Sequence, residues 1–182
     1  MAFKENQEKT LQLLHLSQTD PLTQLLNRGT YEARFNECLE LNKRNANTVC
    51  VYFIDLDNFK DYNDGHGHPQ GDKVIQLQAQ FLKEIFQRST DIVARFGGEE
   101  FVVVTSNIDY AQSKDFAQQI IDKWSLTKVK HAKGKGAEFV GCSVGYYYET
   151  ANVNTTITDL IKKADDALYR AKNNGRACAV LY

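Results

Sequence analysis

The feature that most constrains the fold is an uninterrupted apolar run, Val-Cys-Val-Tyr-Phe-Ile, at residues 49–54. The run is too short for a typical helix, and its β-branched and aromatic residues favour a strand. Because no polar residue alternates with the apolar ones, both faces of this strand are expected to be buried. The run stops at Asp55, so a carboxylate follows directly after a buried strand.

The rest of the chain alternates between helical and strand periodicity. A helix is predicted to begin at Asp20-Pro21, because Asp is a good N-cap and Pro is favoured at the first helical position. Further helices are predicted over 31–41, 72–88, 111–124 and 157–171, and strands over 92–96, 101–104, 139–148 and 177–181. This alternation, without an internal repeat, predicts an α/β or α+β domain whose central sheet is covered by helices.

The composition limits the classes of function. The chain has 182 residues, 42% of them hydrophobic and 25% charged, and its formal net charge is −1. These values argue against disorder, and the near-zero charge argues against nucleic acid as a partner. No apolar run approaches the roughly 20 residues that span a bilayer, so we expect no membrane contact by this domain. Four scattered cysteines without CxxC spacing predict reduced thiols and a cytoplasmic domain.

The chain divides into two predicted regions. Residues 1–18 are polar and contain four leucines. This segment is either a helical stub that joins the domain to an upstream partner or a disordered tail, and its short length does not support a coiled coil. Residues 19–182 are predicted to form a single domain.

Acidic residues are concentrated just after the buried strand. Residues 55–72 contain a single lysine, Lys60, and five aspartates: Asp55, Asp57, Asp61, Asp64 and Asp72. Side chains alternate along a strand, so Asp55 and Asp57 are expected to point the same way while the strand persists. A carboxylate at the end of a buried strand needs a cation or a hydrogen-bond donor. A hard divalent cation is therefore the expected partner, and a solvated acidic loop is the alternative.

Two other metal sites fit this segment less well. A calcium loop that begins at Asp55 would place Phe59 where an oxygen ligand is required. A zinc site at His66 and His68 lacks convincing further ligands.

A second acidic point follows a pair of glycines, in the sequence Gly97-Gly98-Glu99-Glu100. Two glycines allow a tight turn and a close approach by a ligand. If this predicted hairpin lies beside the Asp55 strand, Glu99 and Asp55 can share one cation. Mg²⁺ usually binds one or two protein carboxylates together with substrate phosphates. The combination therefore points to phosphoryl chemistry on a nucleotide, although a Gly-Gly hairpin alone is more often structural.

Several motifs in one order give the chain a resemblance to the GGDEF family of diguanylate cyclases over about residues 19–182. They are Asp20-Pro-Leu-Thr-Gln-Leu-Leu-Asn-Arg28, Asp55-Leu-Asp-Asn-Phe-Lys60, Asn63-Asp64 with Gly67-His68 and Gly71-Asp72, Arg95-Phe-Gly-Gly-Glu-Glu-Phe101, Ser143-Val-Gly145, and Ala164-Asp-Asp-Ala-Leu-Tyr169 with Ala171-Lys172 and Gly175-Arg176. The signature turn reads GGEEF, a family variant in which Glu replaces Asp as a metal ligand.

The resemblance implies a fold similar to the palm-like, ferredoxin-like core of nucleotidyl cyclases, with a mostly antiparallel sheet. It also implies GTP as the substrate and Mg²⁺ or Mn²⁺ as the cofactor. Asp55 and Glu99 would be side-chain metal ligands, and the Leu56 carbonyl would be a backbone ligand. Glu100 would lie beside the reacting centre, as a base, an electrostatic group or a ligand to a second metal.

The resemblance assigns the remaining site residues to the nucleotide. Asn63 and Asp72 would bind guanine, because a carboxylate accepts from its N–H donors and an amide can serve its acceptors. Lys172 and Arg176 would hold the terminal phosphates, with Lys60 near them. Without the resemblance, Lys172 and Arg176 would be ordinary cations at a helix end.

The reaction implied is the condensation of two GTP into cyclic di-GMP and two pyrophosphates by a two-fold homodimer. Arg88-Ser-Thr-Asp91 matches the family's product-binding inhibitory site, with Arg88 and Asp91 as its residues. The alternatives are an inactive relative that binds GTP or cyclic di-GMP, and a cyclase that makes another dinucleotide. An upstream sensor domain, which a longer, membrane-bound parent protein could carry, is a further expected partner.

Overall fold

The computed structural model describes residues 18–131 and 137–182. Most of the predicted stub at 1–18 and residues 132–136 therefore lie outside the described residues. The helices are α1 Arg28–Asn45, α2 Phe59–His66, α3 His68–Ile85, α4 Tyr110–Thr127 and α5 Ile157–Asn173. The strands are β1 Thr48–Leu56, β2 Ile92–Gly97, β3 Glu100–Ser106, β4 Cys142–Thr150 and β5 Ala179–Leu181.

The five strands form one sheet in the order β2-β3-β1-β4-β5. All neighbouring pairs are antiparallel except β4 and β5, which are parallel. Asp55 at the end of β1 lies opposite Glu100 of β3 on one side and Ser143 of β4 on the other. The predicted α+β class with a mostly antiparallel sheet is confirmed.

Helices cover both faces of the sheet, which explains the unbroken apolar run. Tyr52 and Ile54 of β1 pack in a core with residues of α3 and α4. Val51 and Phe53 point to the opposite face and pack with residues of α1 and α5. The prediction of a strand buried on both faces is therefore confirmed. By the same alternation, Asp55 lies on the α1/α5 side of the sheet.

The predicted helix at Asp20-Pro21 is wrong, because the segment forms a single turn. The Asp20 carboxylate caps this turn by accepting hydrogen bonds from the backbone N–H of Thr23 (2.9 Å) and from its hydroxyl (2.7 Å). Gln24 then adopts a left-handed conformation with φ 57°. The chain reverses, and the Asp20 N–H donates to the Leu25 carbonyl at 2.8 Å. The N-cap chemistry was identified correctly, but tertiary contacts stop the helix after one turn.

Other element boundaries differ by a few residues. The helix predicted from residue 31 begins at Arg28, where the Asn27 side chain caps it. The helix predicted from residue 72 begins at His68. The last strand begins at Ala179 because Arg176 and Ala177 have left-handed backbones, with φ 68° and 46°.

Two further observations concern the described ranges. None of their helices is long and apolar enough to cross a membrane. All four cysteines are free thiols, and burial raises the pKa of Cys50 to about 12.

Candidate active site

Two adjoining cavities open where β1 ends beside the turn between β2 and β3. The inner cavity, of about 210 Å³, is lined by Asp55, Leu56, Asp57, Asn58, Phe59, Lys60, Glu99, Lys172 and Arg176. The outer cavity, of about 540 Å³, is lined by Phe59, Lys60, Asn63, Asp64, His68, Asp72, Ile75, Arg95, Gly98 and Glu99. The fold thus brings the residues predicted to bind metal, phosphate and guanine to one end of the sheet. The two cavities share Phe59, Lys60 and Glu99.

Asp55 is a buried carboxylate under strong electrostatic influence. Its side chain pairs with the Lys172 ammonium at 2.9 Å. Burial raises the pKa of Asp55 to about 6, the pairing with Lys172 opposes this rise, and the charges of Glu99 and Glu100 add to it. Two neighbouring carboxylates disfavour the ionisation of Asp55. An added cation would offset this repulsion and stabilise the ionised form.

Glu100 occupies the first position of β3, opposite Asp55. It is half-buried, and burial raises its pKa. The Lys172 ammonium lowers that pKa, whereas Glu99 and Asp165 raise it further. Lys172 therefore stabilises the charges of both Asp55 and Glu100.

The turn that carries Glu99 is held from both sides. Gly98 has φ 54°, a conformation that side chains disfavour. The Arg95 guanidinium donates to the Gly98 carbonyl at 2.9 and 2.7 Å, and it also pairs with the Asp20 carboxylate at 3.1 Å. The Leu56 N–H donates to the Glu99 carbonyl at 3.4 Å. The turn is thus fixed to the end of β1 and to the Asp20 loop.

Sequence reasoning assigned no role to Arg95 and took Asp20 only as a helix cap. The available signal was the pair of oppositely charged residues in two separate motifs, but nothing in the sequence indicated that these motifs meet.

Asp57 lines the inner cavity, yet its carboxylate is bonded within the chain. Oδ1 accepts from the Ser143 hydroxyl at 2.6 Å, and Oδ2 accepts from the Ala177 N–H at 2.9 Å. Burial raises the pKa of Asp57, although these two donors lower it. The two aspartates therefore differ in role. Asp55 pairs with Lys172, whereas Asp57 joins the segments at Ser143 and Ala177 by hydrogen bonds.

In the outer cavity, Asn63 and Asp72 come from successive helices. The Asn63 Oδ1 is buried and has no hydrogen-bond partner among the described residues. A Cβ at Gly71 would lie 1.9 Å from that oxygen, so an alanine there would displace the Asn63 amide. Asp72 is exposed at the cavity. The pair presents a buried amide and an open carboxylate to the same space.

Arg88 and Asp91 line neither cavity and form their own closed turn after α3. The Arg88 N–H donates to Asp91 Oδ2 at 3.0 Å, and the Arg88 guanidinium donates to the Ser106 carbonyl at 3.1 Å. Asp91 Oδ1 is buried without a hydrogen-bond partner in the described part of the chain.

The inner cavity suits a hard divalent cation that completes its ligands with phosphate. Within residues 18–131 and 137–182, no three His, Cys, Asp or Glu side chains gather as a metal cage. Asp55 and Glu99 supply two carboxylates, which is the usual number for Mg²⁺ bound together with a substrate phosphate. The zinc alternative gains no support, because His66 packs against Tyr62, with ring centroids 4.6 Å apart, and no third ligand joins it within those ranges.

This arrangement of acids and cations is chemically compatible with a metal-bound nucleotide, and comparison with known proteins identifies the class of the domain. Residues 17–178 match the family described as diguanylate cyclase, GGDEF domain. The chain belongs to this family.

Individual relatives agree with that assignment. A diguanylate cyclase of Vibrio cholerae serotype O1 is 32% identical over 171 residues, which cover 94% of this chain and 51% of that protein. The chain thus spans about half the length of this relative. The active GGEEF domain of a Vibrio cholerae diguanylate cyclase is 29% identical, with a TM-score of 0.76 over 87% of this chain and 97% of that one.

A third relative has been solved with a ligand. The GGDEF domain of DgcB from Caulobacter crescentus, in complex with c-di-GMP, is 25% identical and has a TM-score of 0.81 over 90% of this chain and 95% of that one.

Proposed function

We propose that this domain condenses two GTP into cyclic di-GMP and two pyrophosphates, and that it does so as a two-fold homodimer inhibited by its product. The observation that carries the proposal is the pair of adjoining cavities. The inner cavity combines carboxylates with Lys172 and Arg176, as a metal-bound triphosphate requires, and the outer one offers an amide and a carboxylate to a base. The relatives named as diguanylate cyclases support the same reaction.

The outer cavity selects guanine. The Asp72 carboxylate accepts hydrogen bonds from the guanine N1–H and N2–H₂ donors, and the Asn63 amide serves acceptors on the base. A base without those donors would leave these groups unpaired.

The inner cavity holds the triphosphate. Lys172, Arg176 and Lys60 supply positive charge for its oxygens. Asp55, Glu99 and the Leu56 carbonyl would hold Mg²⁺ or Mn²⁺, which when bound polarises the phosphate and stabilises the charge that develops on it. Glu100 lies opposite Asp55, and burial raises its pKa, which makes it a stronger base than an ordinary glutamate. We assign to Glu100 the proton from the attacking 3′-hydroxyl.

One chain presents one such site and therefore one GTP. Joining two nucleotides by two identical bonds requires two chains that face each other with two-fold symmetry. Each 3′-hydroxyl then attacks the α-phosphate on the opposite chain, and a pyrophosphate leaves.

Feedback by the product is assigned to Arg88 and Asp91. The guanidinium fork suits phosphate and guanine edges, and the unpartnered Asp91 Oδ1 suits a guanine N–H. We place the domain in the cytoplasm, where GTP is supplied, as the output of an upstream sensor.

Turnover across protein concentration tests the reaction and the dimer together. Incubation with GTP and Mg²⁺ should yield cyclic di-GMP by chromatography, with a rate per chain that rises with protein concentration. Glu99→Ala should abolish turnover because the cation loses a ligand. The matched control is Glu84→Ala, since Glu84 pairs with Lys123 on the surface and lines neither cavity.

Three outcomes would contradict the proposal. The absence of product from the unaltered chain at high concentration would refute the cyclase, and GTP or cyclic di-GMP binding without turnover would favour the inactive binding module. A rate per chain independent of concentration, in a chain that stays monomeric, would refute the dimer.

A further inference from the structure

We propose that Asp57 is a positioning residue that fixes the turn at 175–177 and thereby directs the Arg176 guanidinium to the phosphate site. This inference depends on the proposed function only in taking Arg176 as a phosphate ligand. The acidic segment after β1 would thus contribute to anion binding through one of its own carboxylates.

The turn that carries Arg176 has an unfavourable backbone. Gly175, Arg176 and Ala177 have φ values of 107°, 68° and 46° in succession. Glycine adopts such angles without penalty, but a Cβ clashes with the backbone in this region. Two consecutive non-glycine residues there persist only where surrounding contacts impose the conformation.

Asp57 supplies the contact from outside the turn. Its Oδ2 accepts from the Ala177 N–H at 2.9 Å, across 120 positions of sequence. Within the local chain, the Arg176 N–H donates to the Ala171 carbonyl at 3.1 Å, which closes the end of α5. These two bonds fix the backbone on either side of the Arg176 Cα.

Asp57 is itself held rigidly enough to impose this geometry. Its side chain is buried, with 5% of the residue exposed. The Ser143 hydroxyl holds Oδ1 at 2.6 Å, and the Asp57 N–H donates to the Gly141 carbonyl at 2.9 Å. The anchor therefore belongs to the end of the sheet, whereas Arg176 is exposed on the turn and lines the inner cavity.

Charge alone predicts the opposite effect of Asp57 on anion binding. A carboxylate that lines a phosphate cavity repels phosphate, so removing it should strengthen anion binding. If Asp57 positions Arg176, removing it should weaken anion binding. The sign of the change in anion affinity therefore distinguishes charge repulsion from positioning of Arg176.

The test measures binding of inorganic tripolyphosphate, with Mg²⁺, by calorimetry. This probe has no base and undergoes no condensation, so its result does not depend on cyclase activity. Asp57→Ala should weaken binding by about tenfold, the scale of a lost hydrogen bond to a charged group. Asp57→Asn should restore binding to within about threefold, because an amide oxygen can still accept from the Ala177 N–H and its NH₂ can donate to Ser143.

A double-mutant cycle with Arg176 distinguishes positioning by Asp57 from a general destabilisation of the structure. In an Arg176→Ala background, Asp57→Ala should weaken tripolyphosphate binding by less than about twofold, because the guanidinium that Asp57 positions is gone. Additive losses, tighter binding in Asp57→Ala, or no binding by the unaltered chain would overturn the inference. Failure of GTP condensation with the coupling intact would refute the proposed function alone.

Amide exchange of the unaltered chain tests the inference without relying on a variant that folds. The Ala177 N–H should be protected from exchange by its bond to a buried carboxylate. Exchange at the rate of an open loop would overturn the proposal.

Discussion

At the scale of single residues, burial and neighbouring charge set the pKa of Asp55, the carboxylate that we propose binds a cation. Its pKa is about 6 in the folded chain, against an ordinary value of 3.8. Between these values the folded state binds more protons than the unfolded state, so this group's contribution to stability falls as pH rises through that window. Without a cation, the ionised site destabilises the fold.

The pH dependence of metal stabilisation follows from this. Mg²⁺ binds the ionised carboxylate and competes with the proton, so it should raise the melting temperature at about pH 8 and lose that effect by about pH 5. Thermal unfolding with and without Mg²⁺ across this range measures it. Asp55→Asn removes the titrating group and should show no Mg²⁺ effect at either pH. An equal Mg²⁺ effect in the unaltered chain at both pH values would contradict the assignment.

Gly71 is a second residue at which a substitution should change nucleotide binding. Because its Cβ would meet the Asn63 oxygen at 1.9 Å, Gly71→Ala should push the Asn63 amide out of the outer cavity. We expect the KM for GTP to rise about tenfold, the cost of leaving a polar contact unmade, with a smaller change in kcat. Steady-state kinetics measures both.

The control for Gly71 is Gly29→Ala, since the nearest atom to a Cβ at Gly29 is 3.8 Å away. That change should leave KM unaltered. An unaltered KM in Gly71→Ala as well would show that Asn63 does not bind the base.

The roles of residues with local chemistry could be predicted from the sequence. The roles that depend on a partner far along the chain could not. Asp55 could be singled out because a carboxylate directly after a buried strand is conspicuous. Asp57 looked like a second member of the same acidic group, and its partners Ser143 and Ala177 are 86 and 120 positions away. The cation shared by Asp55 and Glu99 was inferred from the residues themselves, whereas the guanine and phosphate roles came from the family resemblance. All of these roles remain predictions.

At the scale of elements, the contact between β4 and α5 sets the position of Lys172. A Cβ at Gly145 would lie 2.0 Å from the Leu168 N and 2.2 Å from the Ala164 carbonyl oxygen. These are backbone atoms that cannot move without shifting the helix. The close approach of α5 to the sheet therefore allows Lys172 to reach Asp55 at 2.9 Å.

Gly145→Ala should accordingly lower the free energy of unfolding by about 2 kcal/mol or more, as overpacking in a core does. Urea denaturation measures the change. Gly141→Ala is the matched control just before the same strand, because its Cβ would make only ordinary contacts, at 3.5 Å or more. Equal stability of the two variants would show that α5 adjusts freely.

The elements themselves were largely predictable from periodicity. The strand at 49–54 and the helix from Ile157 have clear patterns, and both are found. The error at Asp20-Pro21 has a physical cause. The same carboxylate that starts a helical turn also pairs with Arg95, 75 positions away, and no local pattern reveals that. Similarly, β5 starts late because Arg176 and Ala177 have left-handed backbones, and Ala177 bonds to Asp57, 120 positions away.

At the scale of the whole molecule, Arg88 and Asp91 lie outside both cavities, so inhibition and catalysis should be separable. Arg88→Ala should leave the initial rate within about twofold and abolish inhibition by added cyclic di-GMP, because a charged hydrogen-bond donor to the product is lost. Progress curves with and without added product measure both quantities. Gln87→Ala, an exposed neighbour, should retain inhibition. Undiminished inhibition in Arg88→Ala would return this residue to a purely structural role.

The order of the strands gives the two halves of the site unequal resistance to local opening. Asp55 is the penultimate residue of β1, the central strand, which is hydrogen-bonded on both sides and buried from Val49 to Leu56. Arg176 precedes β5, a three-residue edge strand that is only half-buried. Edges fray well before a protein unfolds globally. Fraying of β5 would displace Arg176, the proposed phosphate ligand, while the acidic end of β1 stays in place. The proposed anion site could then open without unfolding of the core.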